Sequence, residues 1–280
     1  MTPGDFVWHE LLTTDIAKAQ AFYVDVMGWG VRDASAPGAS YRLFMRGGVP
    51  AGGLMELASD LRTAGAMPRW LGYVGADVDD VVARIMRHGG TIQVPPTDIP
   101  GISRFAIFDD PQGASLALIE WLGADRDEGQ PAAGDPKAPG FVSWHELLAA
   151  DTETALAFYG ELFGWRKAGA GFDAAGAYQL FSVAGRTIGG MFTKPAVVSI
   201  AFWLYYFSIE DIDAAAERVK AGGGEVVEGP VEVLGAGWVA RCIDPQGAPF
   251  ALVGPRSKKT FGYFADAAAR GSGRSRRWSW

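Results

Sequence analysis

Apolar and polar positions alternate along this chain in a succession of rhythms that occurs four times. Residues 6–12 read as a strand with two unlike faces. Asp15 then opens a helix as its N-cap, with Ile16, Ala19, Phe22, Tyr23 and Val26 on one face. Gly28 and Gly30 end it. Strand-like runs follow at 31–32, 41–46 and 51–57. The pattern restarts with a strand at 70–74. Asp77 or Asp79 caps a second helix whose apolar face is Val78, Val81, Val82, Ile85 and Met86, and Gly89-Gly90 stops it. Three more strands are expected near 91–94, 103–108 and 114–121. The last two are joined by Asp110-Pro111-Gln112-Gly113, which suits a type I turn.

The second half of the chain repeats the first. WHELL at 8–12 answers WHELL at 144–148, an offset of 136. In the same order follow Asp15 and Asp151, Phe22-Tyr23 and Phe158-Tyr159, and Gly28-Trp29 and Gly164-Trp165. Further on, Tyr41-x-Leu43-Phe44 answers Tyr178-x-Leu180-Phe181, Gly52-Gly53 answers Gly189-Gly190, and Asp110–Gly113 answers the Asp-Pro-Gln-Gly of 244–247. A helix with Ile212, Ala215, Ala216 and Val219 on its face, stopped at 222–224, matches the second helix of the first half. Self-similarity at this scale indicates a duplicated structural unit. The expected fold is α+β, with four βαβββ units paired into two similar domains built on curved mixed sheets. The domains span 1–123 and 140–255. The Pro- and charge-rich stretch 124–139 is a linker, and 256–280 is a tail whose last ten residues have a composition that predicts flexibility.

Composition narrows the function. The formal net charge is -7, and residues 256–280 hold seven basic residues against the single acid Asp266, so the body is strongly acidic. That excludes wholesale nucleic-acid binding. The one cysteine, Cys242, excludes an internal disulfide and an all-cysteine zinc cluster. No apolar run reaches the roughly twenty residues of a membrane helix, and the N-terminus lacks the pattern of a secretory signal. The expectation is a cytoplasmic protein without nucleic-acid or membrane partners, either a monomer with internal pseudo-dimer symmetry or a weak homodimer.

The segments AFYVDVMGW (21–29), AFYGELFGW (157–165), DPQGASLAL (110–118) and DPQGAPFAL (244–252) resemble the vicinal-oxygen-chelate superfamily. It includes glyoxalase I, extradiol dioxygenases, and bleomycin- and fosfomycin-resistance proteins. The resemblance spans residues 5–123 and 140–255 and points to a tandem, glyoxalase-like subgroup. Its enzymes commonly hold a divalent metal in the cup of the sheet through His, Gln and Glu. Carried onto this chain, the first ligand position falls on Trp8 and Trp144. The third falls on Trp70, and on Trp203 or Leu204 in the second half. The fourth falls on Ala117 and Ala251. Of the second positions only Glu56 is a ligand type. A metal site is therefore not expected and no cofactor is predicted. A divalent metal held through Glu56, His9 or His145 is the alternative.

By strand alternation Trp8, Glu10 and Leu12 share one face, as do Trp144, Glu146 and Leu148, while His9 and His145 face the helices. Trp70 is expected to join the first set and Trp203 the second. Each half would then offer an open, wet cup lined by two tryptophans and a carboxylate. Such a cup suits a small planar or cationic organic molecule, through stacking and cation–π contact. The alternative is a lyase or dioxygenase/hydroxylase, in which Glu10 and Glu146 are the candidate catalytic residues. Gly52-Gly53 and Gly189-Gly190 read as strand-edge glycines.

Overall fold

A computed structural model describes residues 3–35, 40–63, 65–122, 134–170, 178–233 and 235–257. Most of the predicted linker and nearly all of the basic tail lie outside these residues. The first half runs β1 (Phe6–Thr13), α1 (Ile16–Met27), β2 (Gly30–Asp33), β3 (Tyr41–Arg46), β4 (Val49–Glu56), α2 (Ser59–Thr63), β5 (Arg69–Gly75), α3 (Val78–Arg87), β6 (Thr91–Ile99), β7 (Ser103–Asp109) and β8 (Ser115–Trp121). The second half runs β9 (Val142–Ala149), α4 (Thr152–Phe163), β10 (Arg166–Ala170), β11 (Gln179–Val183), β12 (Arg186–Thr193), β13 (Phe202–Ser208), α5 (Ile212–Ala221), β14 (Glu225–Val233), β15 (Gly237–Ile243) and β16 (Pro249–Gly254).

Each half is one eight-stranded mixed sheet. The orders are β2-β3-β4-β1-β5-β8-β7-β6 and β10-β11-β12-β9-β13-β16-β15-β14, so units pair one with two and three with four. The α+β architecture of two similar, open sheets is as the repeat implies. Each unit begins its helix in the same way. Asp15, Asp77, Asp151 and Asp211 each accept a hydrogen bond from the backbone N–H three residues on. Gly28 and Gly164 end α1 and α4 in the left-handed region, at φ 69° and 70°. Two local expectations change. Met86 is 58% exposed and leaves the apolar face of α3. The short α2 has no counterpart in the second half. Among the described residues no helix is long and apolar enough to cross a membrane.

The two sheets stand back to back, and the largest apolar cluster draws on both. β5 meets β13 at the centre, while α1 packs on α5 and α3 on α4. The repeated motifs fasten this junction. Tyr23 donates to Asp244 of the opposite Asp-Pro-Gln-Gly turn at 3.2 Å, and Tyr159 donates to Asp110 at 2.9 Å. The Gln112 side-chain Oε1 accepts from the N–H groups of Ala150 and Asp151, and Gln246 Oε1 accepts from Thr14 N–H in the same way. Trp29 and Trp165 donate across the junction to the carbonyls of Gly140 and Gly4. The other face of each sheet, turned away from the opposite half, is the cup. Its smaller apolar cluster belongs to one half alone.

Candidate functional site

Trp8 and Glu10 share the cup face as alternation requires. Trp8 pairs with Tyr73, Glu10 with Leu71 and Leu12 with Arg69 across the β1–β5 ladder. That register puts Trp70 opposite Leu11, on the face toward the second half, where it donates from Nε1 to Tyr23 at 3.0 Å. In the second half Trp203 pairs with Leu147 and donates to Tyr159 at 3.1 Å. Both tryptophans are core residues, so the expectation that they line the cups is corrected. Faces are set by the pairing register, and the observed one puts Trp70 beside Leu11 and Trp203 beside Leu147, on the core side. Tyr73 and Tyr206 take their places in the cups.

The first cup holds a connected polar set inside apolar walls. Trp8 Nε1 donates to the Tyr41 hydroxyl at 3.1 Å, and Tyr41 hydrogen-bonds the Glu10 carboxylate. Tyr73 donates to Glu10 Oε1 at 2.9 Å. Around them lie Leu12, Leu57, Leu71, Ile107 and Ile119. Glu10 is only 4% exposed, so the expected wet cup is also corrected. Leu57 is a buried member of the same apolar cluster, and Leu61 of α2 and Ala66 pack on it. Burial raises the Glu10 pKa above the usual carboxylate value, against the two tyrosine hydrogen bonds that lower it.

The second cup repeats the set and adds a cation. Trp144 donates to Tyr178 at 2.8 Å, Tyr178 to Glu146 at 2.9 Å, and Tyr206 to Glu146 at 2.6 Å. Arg241 then bonds Glu146 at 2.8 Å and Glu228 at 2.9 Å. Arg241 pairs with Ala251 and Glu228 on the neighbouring strands. The equivalent places in the first half are Ile107 and Val94, paired with Ala117 and each other. One carboxylate is neutralised by a guanidinium, and among the described residues its twin is held by tyrosines. Tyr41, Tyr73, Tyr178, Tyr206, Arg241 and Glu228 were not expected as site residues from the sequence, although Tyr41 and Tyr178 stood out in the repeat. The repeated Tyr41 and Tyr178 were the available signal.

The repeated glycines explain the tyrosines. β4 and β12 are interior strands, not edges. A Cβ on Gly53 would sit 2.1 Å from the Tyr41 hydroxyl, and one on Gly190 would sit 2.2 Å from the Tyr178 ring. Glycine therefore makes room for the ring that carries the hydrogen bond to each glutamate. Gly53→Ala should displace Tyr41 from Glu10. A loss of Tyr41–Glu10 coupling, with Glu10 titrating still further above its ordinary value by NMR because a hydrogen bond that lowers its pKa is gone, checks this.

The residues at the superfamily's metal positions do not fit a metal. Trp8, Tyr73 and Ala117 meet in one row across β1, β5 and β8 and supply no charged or imidazole donor, nor does Trp70, the residue expected at the third position, which lies on the core face. Glu56 pairs with Thr13 on the opposite face and reaches Arg62 at 3.8 Å. His9 and His145 are elsewhere, at the junction of the halves, with Nε2 atoms 3.0 Å apart. His145 Nδ1 lies 2.9 Å from the Ile188 carbonyl and so carries the proton there. His145 Nε2 is then the acceptor and His9 Nε2–H the donor. Among the described residues no three His, Cys, Asp or Glu side chains are grouped as a metal site.

The Glyoxalase/Bleomycin resistance protein/Dioxygenase superfamily model matches residues 6–118 and 142–252. The chain belongs to this superfamily. It is 30% identical to CFP32 of Mycobacterium tuberculosis (strain CDC 1551 / Oshkosh), a protein provisionally named a glyoxylase, over 89% of this chain and 94% of that one. It is 32% identical to the anthracycline biosynthesis protein DauV of Streptomyces sp. (strain C5), over 90% and 93% of the two chains. The Mn(II)-bound glyoxalase of Novosphingobium aromaticivorans superposes with a TM-score of 0.61 at 16% identity, covering 91% of this chain and 83% of that one. The 2,3-dioxygenase LapB of Pseudomonas sp. KL28 gives 0.59 at 14%, covering 94% and 96%. At such identities these two structures share the fold.

Proposed function

We propose that the first cup takes up a small planar organic molecule bearing a hydroxyl or amino group, beside Trp8 and with Glu10 as its polar anchor. The observation that carries this is Glu10 itself. A buried carboxyl without a cation costs stability. The second half relieves that cost with Arg241 at the place where the first half has Ile107. Among the described residues no cation reaches Glu10, which lies inside walls that suit a flat apolar body. The short α2 packs on this cluster through Leu61, so it is the element expected to shift as the molecule enters. The second cup serves the fold, because its carboxylate is committed to Arg241. The relation to an anthracycline biosynthesis protein supports a fused-ring ligand class.

Isothermal titration with 2-hydroxyanthraquinone tests this reading. Glu10→Gln is expected to weaken binding about fivefold or more, while Glu146→Gln leaves it within twofold. The melting temperature of Glu10→Gln should stay level or rise, since a buried charge is removed. Equal affinities for wild type and Glu10→Gln would refute the assignment.

A second reading is favoured by the raised Glu10 pKa. A carboxyl so tuned can accept and return a proton, as a lyase of this superfamily requires. Glu10 would then be the general base, with Tyr41 and Tyr73 holding its orientation. A turnover profile with a limb that follows Glu10 protonation, lost in Glu10→Gln, is the expected signature.

A further inference from the structure

We infer that Ser103 and Trp121 form a second polar subsite in the first cup, one that receives a neutral carbonyl oxygen of the planar molecule. This rests on the ligand-binding reading of the first cup. The two residues are directly opposite each other in the β7–β8 ladder. They share a face with Phe105, Ile107, Ala117 and Ile119, the cup wall that includes Trp8. Ser103 is 1% exposed, and its Oγ has no hydrogen-bond partner among the described residues. The Trp121 Nε1 is likewise buried and unpartnered. Two orphaned donors side by side are unusual, because each buried polar group left unpaired costs free energy that a partner would recover.

The chemistry of the pair specifies the missing partner. An indole N–H can only donate, and a serine hydroxyl donates readily, so the group they fit is an acceptor. A carboxylate or phosphate would need a cation beside it. The adjacent Arg104 is committed to Asp79 at 3.0 Å and Asp98 at 2.6 Å. A neutral carbonyl, such as a quinone or aryl ketone oxygen, meets both requirements. The second half again supports the assignment. The places equivalent to Ser103 and Trp121 are Gly237 and Pro255, which offer no side-chain donor. Both the cation-free carboxyl and the donor pair belong to the same cup. Glu10 and the pair lie at different levels of the sheet, on either side of the Trp8–Tyr73 row. A ligand touching both is therefore elongated, with a hydroxyl or amino group at one end and a carbonyl further along.

Two probes separate the subsites: 2-hydroxyanthraquinone, and 2-hydroxyanthracene, which has the same three rings without the carbonyls. Titration calorimetry is run on wild type, Ser103→Ala, Trp121→Phe and Glu10→Gln. Ser103→Ala and Trp121→Phe are each expected to weaken the quinone about fivefold and leave the anthracene within twofold. Glu10→Gln weakens both probes. Ser103→Ala should melt no lower than wild type, which shows that the hydroxyl is not structural. If the quinone binds with Glu10 dependence but Ser103→Ala and Trp121→Phe leave its affinity intact, or weaken both probes alike, the carbonyl subsite is overturned and the anchor role of Glu10 stands. If wild type binds neither probe, both readings fall.

Discussion

Arg241→Ile is expected to destabilise the protein by about 3–5 kcal/mol, the range for breaking a buried ion pair and stranding its partner. Arg241 and Glu146 are 6% and 4% exposed at their side chains, so solvent gives little screening. Removing the guanidinium leaves Glu146 with hydrogen bonds from Tyr178 and Tyr206 alone, and also frees Glu228. For a chain of this size the loss corresponds to a fall in melting temperature on the order of 10 °C. Arg241→Ile combined with Glu146→Gln should recover most of it, since no buried charge remains. Denaturant melts of the single and double variants check this. A single-variant cost below about 1 kcal/mol would show that two tyrosines suffice for a buried carboxylate, and that the difference between the cups has no energetic meaning.

Acid should loosen the junction of the halves. Burial lowers His9 well below the ordinary histidine value, with the neighbouring His145 adding to the effect. Burial likewise lowers His145, to about 4, against the hydrogen bond to Ile188 that raises it. Both folded-state values lie below the ~6.5 of an unfolded histidine. The stabilisation from keeping the rings neutral is therefore complete above about pH 6.5 and is lost as pH falls toward 4. For His145 alone the loss across that window is about 3 kcal/mol. Glu10, Asp110 and Asp244 act in the opposite sense. Burial raises their folded pKa values, so their protonation favours the fold as pH falls. Comparison with His9→Gln/His145→Gln isolates the histidine contribution. Between pH 7 and 4.5 wild type should lose distinctly more stability than the double variant. Parallel pH profiles would contradict the neutral pair.

The duplication, the α+β class and the Asp15 cap with its repeat at Asp151 were legible because they rest on local rules, whereas the choice between Asp77 and Asp79 stayed open and Asp211 was not singled out. An Asp before an apolar helical face, and a Gly at its end, need no knowledge of distant residues. The face shared by Trp8 and Glu10 was legible for the same reason, since alternation holds within one strand. Trp70 and Trp203 were not. Their faces depend on how β5 meets β1 and β13 meets β9, and a strand's own sequence does not state its register. The enclosure of Glu10 was also hidden, because its tyrosine partners and the apolar cluster beside it come from β3, β5, β7 and β8, far along the chain from β1. So was the neutralisation of Glu146, whose partner lies on β15, 95 residues away. In each case the missing information was tertiary, and it decided which half pairs its glutamate with a guanidinium.

The most direct test is a crystal structure of the protein soaked with 2-hydroxyanthraquinone. Two sizeable openings compete with the first cup. One is a groove of about 540 Å3 along α4, between Thr152 and Arg166, and the other is a cavity of about 360 Å3 between Gln112 and Phe158. The account predicts density in the first cup, with the probe's hydroxyl at Glu10, its rings beside Trp8, α2 shifted, and the second cup unchanged. Density only in the α4 groove, only in the α3–α4 cavity, or only against Arg241 would contradict it.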